Sequence, residues 1–214
     1  MQKLYNTGVL IGSIGSIKGG TKIKTITIDD LEYPNQLKKI ENPPKSLYIE
    51  GNVGAIKATS IAIIGSRACS SNGAKLAKKF ANELVLQDIA IVSGMAEGID
   101  TAGHIGALDA GGTTIAVLGG GFNHIFPESN IGLFKRIVDA GGAVISEYPP
   151  DINVSSKQFL ERNRIVSGLS IGVLVIEAAY GSGTSVTAAL AKSQGKKVFC
   201  VPHEMDNIHG TRHK

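Results

Sequence analysis

IAIIGSR (61–67), IAIVSGMAEGID (89–100), TIAVLGGG (114–121) and VLVIEAAYGSGTS (173–185) repeat one design, a short apolar run that empties into glycine, serine and other small residues. An apolar run of this length bounded by turn residues reads as a buried strand. A glycine-rich exit leading into a helical pattern reads as the turn of a β-α unit. If the four strands run parallel, all four turns lie along one edge of one sheet, where backbone N–H groups and helix N-termini favour negative charge. The expectation is an anion-binding sheet edge of the kind that serves phosphates.

Outward from these runs, the chain from Ser60 onward alternates β-rich and helical stretches, which argues for right-handed β-α-β crossovers. After the first strand, Ser70 or Ser71 is placed to cap a helix whose Ala77, Phe80, Ala81 and Leu84 repeat at i, i+3, i+4 and i+7. The run after the second turn ends in Gly111 and Gly112, suited to a helix C-terminus. A helix over NIGLFKRIVDAGG, a strand AVISEY, a helix around FLERNRIVS, a helix SVTAALAKSQG and a last strand KKVFCVP complete the series. Roughly six core strands and five helices are expected, in an α/β fold with a doubly wound, mostly parallel sheet and three α/β/α layers.

Residues 1–59 have a different texture. GVLIGSIGSIKGG resembles a flexible leader, IKTITI a strand, and the proline-marked YPNQLKKIENPPKSLYIEGN a strap. The expected organisation is a leader and strap over 1–59 packed on a Rossmann-like domain over 60–214.

Composition narrows the class. The 43% hydrophobic and 19% charged fractions are those of a folded chain, and the net charge of +4 permits anionic partners without demanding them. Cys69 and Cys200 form no C-x-x-C pair, so neither a disulfide framework nor a zinc spacing is present. No apolar run approaches the ~20 residues of a membrane span. A soluble, cytoplasmic protein with no cofactor and no resident metal is expected.

The turns hold neither a Walker loop nor, after the first strand, a G-x-G-x-x-G fingerprint. Arg67 in GSR is placed to fork onto a phosphate with Ser66 adding a hydroxyl, or to pair with Glu97 or Asp100 on the same edge. KQFLERNR (157–164) sets Lys157, Arg162 and Arg164 around Phe159. Cations beside an aromatic ring are the minimal apparatus for a single-stranded nucleic acid, although the same segment reads equally as a solvated helix face over a buried Phe. Asp100 and His104, at i and i+4, form either a structural pair holding the glycine loop or a dyad that lacks a nucleophile and an oxyanion site. His203, His209 and His213 read as a polar tail.

Taken in order, YPNQLKKIENPPKSLYIEGN, AIIGSR, SGMAEGIDTAGHIGAL, AVLGGGFNHIFPESN, ISEYPP, FLERNRIVSGLS and VIEAAYGSGTSVTAALAKSQGKKVFCVP resemble the DNA-processing protein A (DprA/Smf) family over roughly residues 31–202. The resemblance implies an extended Rossmann-like domain that binds single-stranded DNA without catalysis, in DNA recombination and natural transformation (competence). It further implies protection of incoming strands, loading of the RecA recombinase and a homodimer. Carried onto this sequence, the DNA pocket falls on Ser66 and Arg67, on the second turn with Ser93, Gly94 and Met95, on Gly119, Gly120 and Gly121, and on Lys157, Phe159 and Arg164. Arg162 and, in the fourth turn, Ser182 and Gly183 complete the expected set. Binding to oligothymidylate is expected to be strongly salt-dependent.

Three departures from the family pattern stand out. His203 replaces the glycine usual after V-P, Arg212 stands where an asparagine is expected, and neither an N-terminal helical domain nor a C-terminal winged helix is expected here. YGSGTS leans toward the G-x-G-T of a related phosphoribohydrolase (lysine-decarboxylase-like) fold, which keeps a nucleotide-binding enzyme or sensor as the alternative. That enzyme's motif ends in a glutamate, whereas Thr184 is followed here by SVTAAL.

Overall fold

The structure, a computed structural model, describes residues 23–178 and 182–202. The leader, the C-terminal departures at 203 and 212, the tail histidines, and residues 179–181 of the fourth turn lie outside them.

Eight strands form one sheet among the described residues: β1 (Lys24–Thr27), β2 (Ser46–Gly51), β3 (Ser60–Ile64), β4 (Ala90–Ser93), β5 (Thr114–Val117), β6 (Ala143–Ser146), β7 (Gly172–Val175) and β8 (Lys197–Cys200). Their spatial order is β1-β2-β6-β5-β4-β3-β7-β8. From β6 to β8 every pairing is parallel, and β1 and β2 join antiparallel at the β6 edge. All residues of β4, β5 and β6 are buried. That is why these strands read as unbroken apolar runs, being covered on both faces.

Helices α2 (Ser71–Val85), α3 (Ile99–Asp109) and α4 (Ile131–Asp139) cover one face, and α5 (Ser156–Leu169) and α6 (Gly183–Ser193) the other. The period of two assigns neighbouring side chains to opposite layers. Ile63 and Ile91 pack with Ala77, Ala81 and Ile99, whereas Ala62 and Val92 pack with Ile165, Val166 and Leu169. The α/β, doubly wound, three-layer architecture is therefore as expected.

Local signals act as anticipated. Ser70 caps α2, its Oγ accepting from the Gly73 N–H at 2.9 Å, and Gly111 takes φ +72° just past α3. Residues 23–59 contribute more than a strap. Strands β1 and β2, with the one-turn helix α1 (Asn35–Lys38) between them, bury Ile26, Leu37, Leu47 and Ile49, and the Tyr33 hydroxyl donates to the Pro44 carbonyl at 2.7 Å. Flanking prolines and Gly51 mask in the sequence what is a six-residue strand with Leu47, Ile49 and Glu50 buried.

Candidate nucleic-acid interface

The chain switches faces between β3 and β7. Helix α2 leaves β3 to one side of the sheet and α6 leaves β7 to the other, so a crevice opens at the carboxyl ends of the two strands. A cavity of about 550 Å³ occupies that crevice. Ser66, Arg67 and Gly94 line it from the first two turns, Phe159 and Arg162 from α5, and Ser182 and Gly183 from the start of α6.

The turns around it are pinned by named groups. Glu177, just past β7, accepts from the Ser66 N–H through its carbonyl (2.6 Å), while its carboxylate accepts from the Ser70 N–H and Oγ (both 3.0 Å). The first turn is thereby tied to the strand across the crevice. In the second turn Met95 sits at φ +61°, unfavourable for a side chain with a Cβ. Its neighbours hold it there. The Asp100 carboxylate accepts from the N–H of Gly94 (3.0 Å) and Ala96 (3.4 Å), and Asn130 Nδ2 donates to the Met95 carbonyl at 2.8 Å.

Asp100 thus holds the glycine loop, but His104 is not its partner. His104 Nδ1 lies 2.7 Å from Thr114 Oγ1, whose single proton goes to the Ile91 carbonyl at 2.9 Å. The imidazole must therefore donate from Nδ1, which leaves Nε2 as a buried acceptor with no partner among the described residues. Complete burial depresses its pKa to about 3, with the Arg162 charge adding to the effect. Burial raises the carboxyl pKa of Asp100, opposed chiefly by Arg162.

The four cationic and aromatic residues of KQFLERNR separate in space. Phe159 stands in the cavity wall, with the Arg67 Cζ 5.6 Å from its ring centroid. Among the described residues Arg67 makes no ion pair, so the expected alternative of a bridge to Glu97 or Asp100 is not adopted. Arg162 departs from its expected role. It is 4% exposed, and its NH1 donates to the carbonyls of Gly94 (2.6 Å) and Val117, stitching the second and third turns from below. Burial lowers its pKa to about 10, which leaves it charged at neutral pH.

Arg164 departs further and does not reach the cavity. Its two terminal nitrogens donate to the Glu147 carboxylate at 2.9 and 2.5 Å, and its Nε donates to the Asn42 carbonyl at 2.9 Å. Its guanidinium is thereby tied to the strap and the end of β6, with a further bond from Nη1 to the Glu161 carbonyl of its own helix (2.9 Å). Lys157 is solvent-exposed outside the cavity wall, 3.5 Å from Glu161. Of the expected cations, Arg67 lines the cavity and Lys157 is exposed, whereas Arg162 and Arg164 are engaged internally.

The third turn is not an open anion seat. Gly119, Gly120 and Gly121 are buried, and each is small because something lies against it. A Cβ on Gly119 would stand 2.5 Å from the Phe159 ring, one on Gly120 2.5 Å from Val154, and one on Gly121 2.2 Å from the Pro150 carbonyl. Ser93 and Met95 are also buried away from the cavity, the Ser93 hydroxyl donating to the Ile63 carbonyl at 2.7 Å.

Phe126, Asn163 and Thr184 line the cavity and were not among the expected residues. Asn163 lies one helical turn beyond Phe159, so the 3.6-residue period marks it. Phe126 follows β5 at the same sheet edge as the other turns. Among the described residues, no group of three His, Cys, Asp or Glu side chains is arranged to hold a metal, and no helix is long and apolar enough to cross a membrane.

A doubly wound domain with a ring, a guanidinium and helix starts around a switch-point cavity defines the class of Rossmann-like proteins whose ligand crevice lies at the carboxyl ends of the strands. The chain belongs to the family described as DNA recombination-mediator protein A, whose profile matches residues 24–214. It is 42% identical to Protein Smf of Escherichia coli over 85% of this chain and 49% of that protein, and 41% identical to the DNA processing protein DprA of Streptococcus pneumoniae over 85% and 64%. The chain thus spans about half to two-thirds of the length of these relatives. The solved structure of the S. pneumoniae protein superposes with a TM-score of 0.82 at 40% identity, covering 87% of this chain and 65% of that one. DNA processing protein A from Helicobacter pylori, whose structural description concerns its single-stranded DNA binding mode, superposes at 0.78 with 29% identity over 86% and 83%.

Proposed function

We propose that this chain binds single-stranded DNA in the switch-point cavity, as a non-catalytic component of DNA processing. The observation that carries the proposal is Phe159, half-buried in the cavity wall with a guanidinium 5.6 Å from its centroid. A ring offers a face to any base, and stacking on it contributes about 1–3 kcal/mol per base without reading sequence. Arg67 and the N–H groups opening α6 supply the phosphate contacts. A duplex keeps its base faces covered, so it meets only the charge. The likeness to the H. pylori protein supports the same reading.

The test is a titration of the full chain with oligothymidylate, with a duplex of equal length and with an abasic strand. The strand carrying bases should bind at least tenfold more tightly than the abasic one, near the low end of one stacking contribution. Equal affinity for all three would remove the proposal. Protection of incoming strands, loading of RecA and a homodimer are proposed on the resemblance to the relatives. Faster RecA filament formation on protein-coated strands, and a dimer mass in sedimentation at micromolar concentration, are the outcomes expected of them.

A further inference from the structure

Phe126 lines the cavity beside Phe159, with ring centroids 5.5 Å apart and planes tilted by 48°. Rings that close are in contact with each other and leave no slot for a base between them. Phe126 therefore acts on Phe159 itself. Its loop is clipped down at its start, where the Gly121 N–H donates to the Ile152 carbonyl (2.8 Å), the Asn123 N–H to the Pro150 carbonyl (2.9 Å) and the Asn123 side chain to Asp151 (2.6 Å). At its end Asn130 is held by the Met95 carbonyl and by Thr101 Oγ1. Phe126 is thus presented from an anchored segment, while Phe159 sits near the exposed start of α5, with the bare backbone of Gly119 beneath its ring.

We propose that Phe126 is a positioning residue for strand binding: its ring sets the tilt of Phe159, so that an incoming base meets one fixed aromatic face. The inference rests on the strand-binding reading above and adds the β5 to α4 loop to the site. Ordering Phe159 in advance removes a cost that the base would otherwise meet on binding. The effect is confined to strands that carry bases.

The full chain and its Phe126→Ala, Phe126→Leu, Phe126→Tyr, Phe159→Ala and Phe126→Ala/Phe159→Ala variants are titrated with oligothymidylate and with the abasic strand. Phe126→Ala should weaken oligothymidylate binding about tenfold, the size of one stacking contribution. Phe126→Leu, which keeps the apolar bulk, should share that loss, and Phe126→Tyr should restore binding to within about twofold of wild type. The double variant should bind within about threefold of Phe159→Ala alone, because one residue acts through the other. Binding to the abasic strand should not change. Wild-type affinity in Phe126→Ala, multiplied losses in the double variant, or an equal loss on the abasic strand would each overturn the inference. A wild-type chain that does not distinguish the two strands would instead overturn the reading beneath it.

Discussion

Two pairs of cations differ in what surrounds them, and the difference divides folding from binding. Arg162 and Arg164 lie on α5 two residues apart, and both are engaged internally, one with the carbonyls under the cavity and the other with Glu147 and Asn42. Arg67 and Lys157 stand in solvent, Arg67 against the Phe159 ring and Lys157 outside the cavity wall beside Glu161. In the sequence all four look like one basic cluster. In the structure the first pair ties internal groups together and the second keeps its charge in solvent.

The sharpest way to break this division is to remove Arg162. Arg162→Met strips the Gly94 and Val117 carbonyls of their donor and leaves the Asp100 carboxylate buried without its facing charge. A loss of about 3–5 kcal/mol is expected in urea unfolding, the range for uncompensating a buried charge. A variant of wild-type stability with impaired DNA binding would place Arg162 in the second pair instead.

Arg164→Ala comes next. The ion pair with Glu147 is partly buried, at 16% and 23% side-chain exposure, and an Asn42 contact goes with it. About 1–2 kcal/mol of stability should be lost, while affinity for oligothymidylate stays within about twofold of wild type. A selective loss of affinity would contradict the assignment.

The buried histidine offers a comparable effect through pH. Its folded pKa of about 3 lies below its ordinary 6.5, so the unfolded chain takes up the proton first. The stability contributed by neutral His104 is therefore present above pH 6.5 and is lost as pH falls toward 3. Asp100, raised by burial, works in the opposite direction above 3.8. Comparison of wild type with His104→Leu isolates the histidine. Between pH 7.5 and 5.5 wild type should lose about 1.4 kcal/mol of stability relative to His104→Leu. No change would mean that the imidazole is not held neutral.

The smallest effect belongs to Arg67. Arg67→Ala should leave unfolding unchanged and weaken strand binding several-fold, reducing the slope of log affinity against log salt by about 0.7, one phosphate contact. An unchanged slope would show that the guanidinium serves only the Phe159 ring.

The same contrast shows what was legible beforehand. The fold was readable because parallel strands buried on both faces must be apolar throughout, and each exits through small residues. Strand β2 was hidden because its two fully apolar positions, Leu47 and Ile49, sit between prolines and Gly51. The orientation of Arg164 was also readable. At about 100° per residue, five residues turn it about 140° from Phe159, whereas Asn163 lies only about 40° away. The role of Gly119 was not, because nothing local says that a ring forty residues later will lie on it. Glycine at a strand exit signals a close approach, and only the fold tells whether the visitor is a phosphate or a phenylalanine.

The most direct measurement is the affinity of the full wild-type chain for oligothymidylate between about 50 and 200 mM salt. If, of the four cations compared, Arg67 and Lys157 alone meet phosphates, the slope should lie between about −0.7 and −1.4, with appreciable affinity persisting at the upper salt from stacking on Phe159. A slope near −2.8 or steeper would mean that Arg162 and Arg164 also meet phosphates, and would contradict the division between the cations that build the cleft and those that serve it.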